Sequence, residues 1–148
     1  LNVIMKKDNK SGAGFTIIEL IVVIAIIAVL AAIVLVSVTI YISKGRDSAI
    51  KSNMGTIVTN AAVWFDNNDS TFTGFDTDVS YTAPAIAITN AGKNVTPATT
   101  VDGSAFCACT TLNDTTNGTF CVDSTGYKNQ TNTDCVIRCE ATAATCSD

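Results

Sequence analysis

Glu19 is a single carboxylate at the start of an otherwise apolar stretch, in which residues 20–36 are seventeen consecutive apolar residues. An acidic side chain costs roughly 2.5 to 3.5 kcal/mol at the middle of a bilayer and less near its edge, so it normally has a cationic partner. Lys10 is nine residues upstream, beyond two glycines, and is a poor partner. Cleavage between Gly14 and Phe15 would create an ammonium group on Phe15, one helical turn from Glu19 and also within reach of Glu19 in a neighbouring molecule.

The apolar stretch is long enough to cross a membrane. Residues 20–42 give about 34 Å of helix at 1.5 Å per residue, against a hydrocarbon core of about 30 Å. A secretory signal peptide has a shorter apolar core followed by a small-x-small cleavage site, for which only residues 37–39 offer a weak match. Lysines precede the stretch, and Lys44 and Arg46 follow it, so charge alone gives only a modest preference for a cytoplasmic N-terminus.

The six cysteines lie within the last 42 residues, and the chain contains no histidine. The missing histidine disfavours triad hydrolases and histidine-based zinc sites, and we expect no cofactor and no enzymatic activity. Cysteines clustered beyond a membrane span indicate an oxidising compartment, so we expect disulfides and place this part of the chain outside the cytoplasm. Six cysteines allow 15 pairings. The candidates are Cys107, Cys109, Cys121, Cys135, Cys139 and Cys146.

Charge divides the chain into two parts. Residues 1–14 contain three lysines and one aspartate, whereas residues 15–148 contain six basic and twelve acidic side chains. An acidic body does not suit the phosphate backbone of nucleic acids, and we expect no specific nucleic-acid partner.

The elements that position these residues follow from periodicity. Apolar residues at helical spacing within residues 50–65 predict an amphipathic continuation of the membrane helix, giving one helix over residues 15–65. Residues 66–103 are predicted to be a polar loop region, in which the apolar segment 81–88 has weak strand character. Residues 106–112 and 119–123 flank a connection that ends in Asn117-Gly118, which indicates a β-hairpin.

Alternation along this hairpin predicts two different faces. Phe106, Ala108, Leu112, Phe120 and Val122 should face the helix, while three cysteines lie on the opposite face. If the turn has five residues, Cys109 lies opposite Cys121, and a disulfide between these two is geometrically reasonable.

The segment Gly14-Phe15-Thr16-Ile17-Ile18-Glu19-Leu20, after a lysine-rich leader and before a continuous apolar run, resembles the N-terminal signal of type IV pilins and type II secretion pseudopilins. The resemblance covers about the first 45 residues. It implies cleavage after Gly14 by a membrane prepilin peptidase, N-methylation of Phe15, and assembly through Phe15, Thr16 and Glu19. The expected fold is α+β: a long N-terminal helix packed on a small antiparallel, disulfide-bonded sheet.

The same resemblance implies a leader at residues 1–14, a helix at 15–65 whose part at about 15–42 spans the membrane or lies in a filament core, and a polar head at 66–148. The implied precursor lies in the inner membrane with its N-terminus in the cytoplasm. Its implied partners are the lipid bilayer, an inner-membrane assembly platform and other copies of the chain in a helical filament, finally at the cell surface or in the periplasm. Adhesion, motility, DNA uptake and secretion all use such subunits.

Two alternatives stay open. The chain could be the major pseudopilin of a type II secretion system, or a membrane-tethered binding or enzymatic domain that never assembles. Secretion pseudopilins often hold calcium in the head, but the acids that could bind it here lack the glycine and terminal glutamate of an EF-hand loop, so we expect a solvated loop and no metal. These acids are Asp66, Asp69, Asp76 and Asp78.

Overall fold

The computed structural model describes residues 14–100, 102–113, 118–132, 134, 135, 139 and 142–146. It contains a four-stranded antiparallel sheet, in which the strands are ordered as in the sequence. The predicted α+β fold is confirmed, and the long helix begins and ends two residues later than the sequence predicted. The elements are α1 (Ile17–Asn67), a 3₁₀ helix (Phe75–Thr77), α2 (Val79–Asn90), β1 (Val95–Thr99), β2 (Phe106–Thr111), β3 (Thr119–Asp123) and β4 (Lys128–Thr131).

The chain divides into two compact units, one ending at Thr39 and the other beginning at Ile40. The described part of the first unit is the beginning of α1 and the three residues before it. The second unit holds the rest of α1, the sheet and the other two helices. We use the word head for this whole second unit, Ile40–Asp148, which also includes the second half of α1.

The head core lies between α1 and one face of the sheet. The predicted helix stripe is confirmed, since Ile50, Met54 and Ile57 are fully buried in one cluster with sheet residues Phe106 and Val122. Burying a side chain of this size stabilises a fold by about 1.5 to 3 kcal/mol. Aromatic rings of the same cluster also pack against one another.

Helix α2 corrects the prediction of a polar loop with weak strand character around residues 81–88. Asp78 caps the helix by accepting a hydrogen bond from the Ser80 N–H at 2.8 Å. Pro84 lies inside the helix and lacks the N–H that would bind the Ser80 carbonyl. Asn60 of α1 supplies the missing donor through Nδ2 at 2.6 Å. The helix therefore tolerates its proline because a tertiary hydrogen bond replaces the lost one.

The predicted hairpin is confirmed as β2 and β3. Ala108 pairs with Val122 and Cys109 pairs with Cys121, so the register is the expected one. The predicted faces are also correct: the apolar residues belong to the helix-facing cluster, and the cysteines form a second cluster on the opposite face. Residues 114–117 of the predicted connection lie outside the described residues. Strand β1 was not predicted; its Pro97 is compatible with an edge strand, where a backbone donor is dispensable.

The suggested disulfide between Cys109 and Cys121 is wrong, although the two residues are directly opposite each other. Side chains of a cross-strand pair extend from the sheet in the same direction, and the C-terminal segment brings three sulfurs onto that face. Each strand cysteine therefore bonds outward instead of across the sheet. The pairs are Cys107–Cys139, Cys109–Cys135 and Cys121–Cys146, with Cα–Cα distances of 5.7, 5.4 and 6.0 Å.

Candidate functional site

The start of α1 is a capping box formed by Thr16 and Glu19. The Thr16 N–H and the Thr16 hydroxyl both donate to Glu19 Oε2 at 2.9 Å, and the Glu19 N–H donates to Thr16 Oγ1 at 3.2 Å. Each side chain thus satisfies a backbone N–H that the first helical turn leaves without an intrahelical acceptor. A carboxylate in this turn also interacts favourably with the helix dipole.

This capping box was missed in the sequence interpretation, which sought only a cationic partner for Glu19. The signal was present, because Thr-x-x-Glu before an apolar run is the capping-box pattern. Both Thr16 donors bind the same oxygen, and within the described residues no hydrogen bond reaches Oε1. The local structure therefore supplies hydrogen bonds to the carboxylate and leaves one of its oxygens for another donor.

Gly14 and Phe15 precede the helix and are exposed. The Phe15 side chain is 86% exposed, and no described atom lies within 4 Å of the position that a Cβ would take on Gly14. Both residues lie outside the hydrogen-bonded helix, which begins at Ile17. An accessible bond outside any helix or strand is a suitable peptidase substrate, since a peptidase must bind backbone that is not engaged in secondary structure.

The first unit exposes nearly all of its apolar surface. Large side chains such as Leu20, Leu30 and Leu35 are 58 to 73% exposed. By its length and composition, α1 could cross a membrane, and its most apolar window has a mean hydropathy of 3.4 with none of that window buried. A soluble monomer rarely exposes so large an apolar surface, so this helix is suited to a bilayer or to packing against other helices.

A buried aspartate, Asp123, connects the chain segments near the three disulfides, which lie on the sheet face opposite α1. Asp123, at the end of β3, is 1% exposed. Its Oδ1 accepts hydrogen bonds from the N–H groups of Thr125 and Tyr127, and its Oδ2 accepts from the Cys146 N–H at 2.8 Å. Sequence reasoning did not single out Asp123. The carboxylate therefore connects the end of β3, the following turn and the C-terminal segment. These bonds hold the C-terminal segment in place beside the disulfides.

The four acids considered for calcium have different surroundings. Asp66, Asp69 and Asp76 are exposed, whereas Asp78 caps α2. Hydrogen bonds from Ser80 hold the pKa of the Asp78 carboxyl below its usual range. Among the described residues, no group of three or more side chains that bind metals is close enough to hold an ion.

Two other titratable groups in the head are perturbed. Burial, and to a lesser extent the charge of Asp76, raises the pKa of the Tyr81 hydroxyl. In the turn between β1 and β2, hydrogen bonds from Thr100 and then Ser104 lower the pKa of the Asp102 carboxyl to about 2. Both groups contribute to packing or to turn geometry.

Residues 9–39 match the family model for the prokaryotic N-terminal methylation motif. The match contains Gly14, Phe15, Thr16 and Glu19 together with most of the apolar run, and it is consistent with the prepilin-type signal of type IV pilins and pseudopilins. No curated protein and no solved structure matches the chain. The motif implies a prepilin peptidase substrate, fits a precursor in the inner membrane and suggests a structural protein.

Proposed function

We propose that the chain is the precursor of a structural subunit of a type IV pilus-like filament. The observation that carries the proposal is the combination of an exposed apolar helix with one carboxylate at its start, directly after an accessible Gly14-Phe15 bond. Each part has a role in assembly, whereas a simple membrane anchor requires only the apolar helix.

Cleavage after Gly14 and N-methylation would leave a secondary ammonium group on Phe15. The helix could then leave the bilayer only if other apolar helices replaced the lipid, because water would expose all of its apolar surface. In a bundle of such helices, the Glu19 carboxylate would be desolvated and would need a cation. The ammonium group of Phe15 on a neighbouring subunit is that cation, and Oε1 of Glu19 is the oxygen that would accept from it.

The head supplies the outer surface in this proposal. One face of its sheet packs on the second half of α1, and three disulfides lie on the opposite face of the sheet. Such a head suits exposure outside the cell because disulfides persist in oxidising surroundings.

The direct test is the chemical identity of the mature N-terminus and the state of the mature chain. Mass spectrometry of chain sheared from cells should find N-methylated Phe15 as the first residue, and negative-stain microscopy of the same material should find filaments that contain it. A mature chain that begins before Phe15, or one that stays monomeric in the membrane, would reject the proposal.

A pair of substitutions separates the charge of Glu19 from its capping role. Glu19→Gln keeps a side-chain oxygen that can accept from Thr16, and Glu19→Ala removes both roles. We expect both variants to be cleaved and both to yield few filaments, because both lack the charge. The matched control is Thr16→Val, which loses the hydroxyl and keeps the carboxylate. Normal filament yield from Glu19→Gln would show that Glu19 acts only as a cap.

A further inference from the structure

A polar cleft opens in the head, between α1 and the edge strand β4. It has a volume of about 250 Å³. Every lining side chain is polar or charged, in contrast to the grooves along the first part of α1. The lining residues are Lys44, Asp47, Ser48, Lys51 and Gln130.

Three of these side chains form a row of hydrogen-bond donors along one helix face. Lys44, Ser48 and Lys51 are spaced by four and then three residues, which places them on the same side of α1 within about two turns. The Lys51 ammonium group donates to Gln130 Oε1 at 2.5 Å and lies 6.0 Å from the centre of the Phe120 ring. Lys51 is therefore held at the cleft, while Lys44 is exposed at its edge.

The one carboxylate of the cleft already has partners. Asp47 is 5% exposed, and its Oδ1 accepts from the Asn113 N–H at 2.7 Å and from Asn113 Nδ2 at 2.9 Å. These donors turn the carboxylate toward the β2–β3 connection. The two lysines give the cleft a net positive charge, in a body where residues 15–148 contain twice as many acidic as basic side chains.

The cleft residues on α1 follow the apolar stretch closely in the sequence. Lys44 follows Ile42, the last residue of that stretch, by two residues, or about 3 Å of helix. Tyr41, 72% exposed, is a residue type enriched at the membrane–water interface. The polar layer on each side of the hydrocarbon core is about 5 to 7 Å thick, and long lysine side chains can extend along a helix into it. Lipid phosphates lie in this layer, which Lys44 reaches first. Lys51 follows Ile42 by nine residues, or about 14 Å of helix, and its long side chain would extend back toward the phosphates.

We propose that this cleft binds the phosphate of an anionic phospholipid headgroup in the leaflet that faces the head. Lys44 and Lys51 would provide the charge, and the Ser48 hydroxyl would donate a hydrogen bond. The bound lipid would hold an acidic head at an anionic membrane surface that otherwise repels it. The proposal rests on the membrane-anchored stage of the proposed function and does not require filament assembly.

The test uses the full-length chain in phosphatidylcholine nanodiscs that contain traces of spin-labelled phosphatidylglycerol or spin-labelled phosphatidylcholine. The ratio of the protein-restricted fractions of the two labels measures the preference for the anionic headgroup. We expect the preference to fall about fivefold in Lys44→Gln, since one lysine near a membrane surface contributes about that factor. Lys51→Gln should lower it similarly.

Lys93→Gln is the matched control, because it removes one positive charge from the head outside the cleft. It should keep the wild-type preference. The leader lysines are the same in every variant and contribute equally. The proposal is overturned if Lys93→Gln loses as much preference as Lys44→Gln, or if neither cleft variant differs from the wild type. Because single membrane-anchored chains are measured, the result does not depend on whether filaments form.

Discussion

Removing the three disulfides one at a time should destabilise the head unequally. Cys107–Cys139 and Cys109–Cys135 are nested, because their strand residues are two positions apart and their C-terminal residues are four positions apart. Cys121–Cys146 begins on a different strand, and its loop overlaps the other two loops without being nested in them. A disulfide stabilises a protein mainly by lowering the conformational entropy of the unfolded chain, and a longer loop gives a larger effect.

The expected losses follow from loop length. With Cys107–Cys139 intact, Cys109–Cys135 closes a loop of only about six residues, and its removal should cost about 2.2 kcal/mol. Cys121–Cys146 has a sequence separation of 25, and its removal should cost about 3.5 kcal/mol. Removing both nested bonds should cost about 5.6 kcal/mol, more than the sum of the two single losses, because the second bond then closes a long loop.

The assay is urea unfolding of the full-length chain in detergent micelles, followed by the fluorescence of Trp64. This is the only tryptophan of the chain, and it packs against the helix-facing core with its ring centre 6.0 Å from that of Phe75. Each variant replaces both cysteines of one pair by alanine. The three variants can be compared directly because the burial of the replaced side chains is similar: one cysteine of each pair is fully buried and the other is 5 to 8% exposed.

Mass spectrometry should find no free thiol in the wild-type chain and two intact bonds in each variant. Coincident transitions by Trp64 fluorescence and by circular dichroism would show that each variant unfolds in a single cooperative step. Equal losses of stability for all three pairs, or the largest loss for a nested pair, would refute the loop argument. Six reactive thiols in chain taken from the cell surface would refute the inferred compartment.

Three further outcomes are expected. Gly14→Val should leave an uncleaved precursor, because a branched side chain would occupy the proposed cleavage position; gel migration against the wild type measures this, and normal processing would place the cut elsewhere. Asp47→Ala should lower the free energy of unfolding by about 1 to 3 kcal/mol, because it leaves the Asn113 donors without their acceptor, while Asp66→Ala, in an exposed position, should have little effect. The Asp102 carboxyl should titrate near pH 2 when followed by nuclear magnetic resonance. Because its folded pKa is lowered from an unfolded value of about 3.9, its contribution to the free energy of unfolding is complete above about pH 3.9 and is lost as the pH falls toward 2. A midpoint near 4 would contradict the turn geometry.

The sequence was most informative where one pattern had one physical solution. Alternation in residues 106–112 and 119–123 identified both faces of the hairpin, because a strand side chain can point only toward the helix or away from it. The helix stripe from Ile50 to Phe65 was equally clear, since its spacing matches the helical period.

Features that depend on distant residues were missed. Helix α2 contains Pro84, and its compensation by Asn60 becomes visible only when α1 and α2 are side by side. The disulfide pairing failed for a similar reason, because register identified Cys121 as the neighbour of Cys109 but could not place the C-terminal segment above both. The Thr16–Glu19 cap is different: it is local and was readable from the sequence.

That cap has a consequence for maturation. Within the described residues, the hydrogen bonds that begin α1 join Thr16 to residues after it, so hydrolysis after Gly14 would leave these bonds in place. If cleavage takes place there, the precursor and its product would share the Thr16–Glu19 cap, and the product would gain an ammonium group on Phe15 next to it. Under the proposed function, the same cap would therefore hold the start of the helix both in the membrane precursor and in the filament.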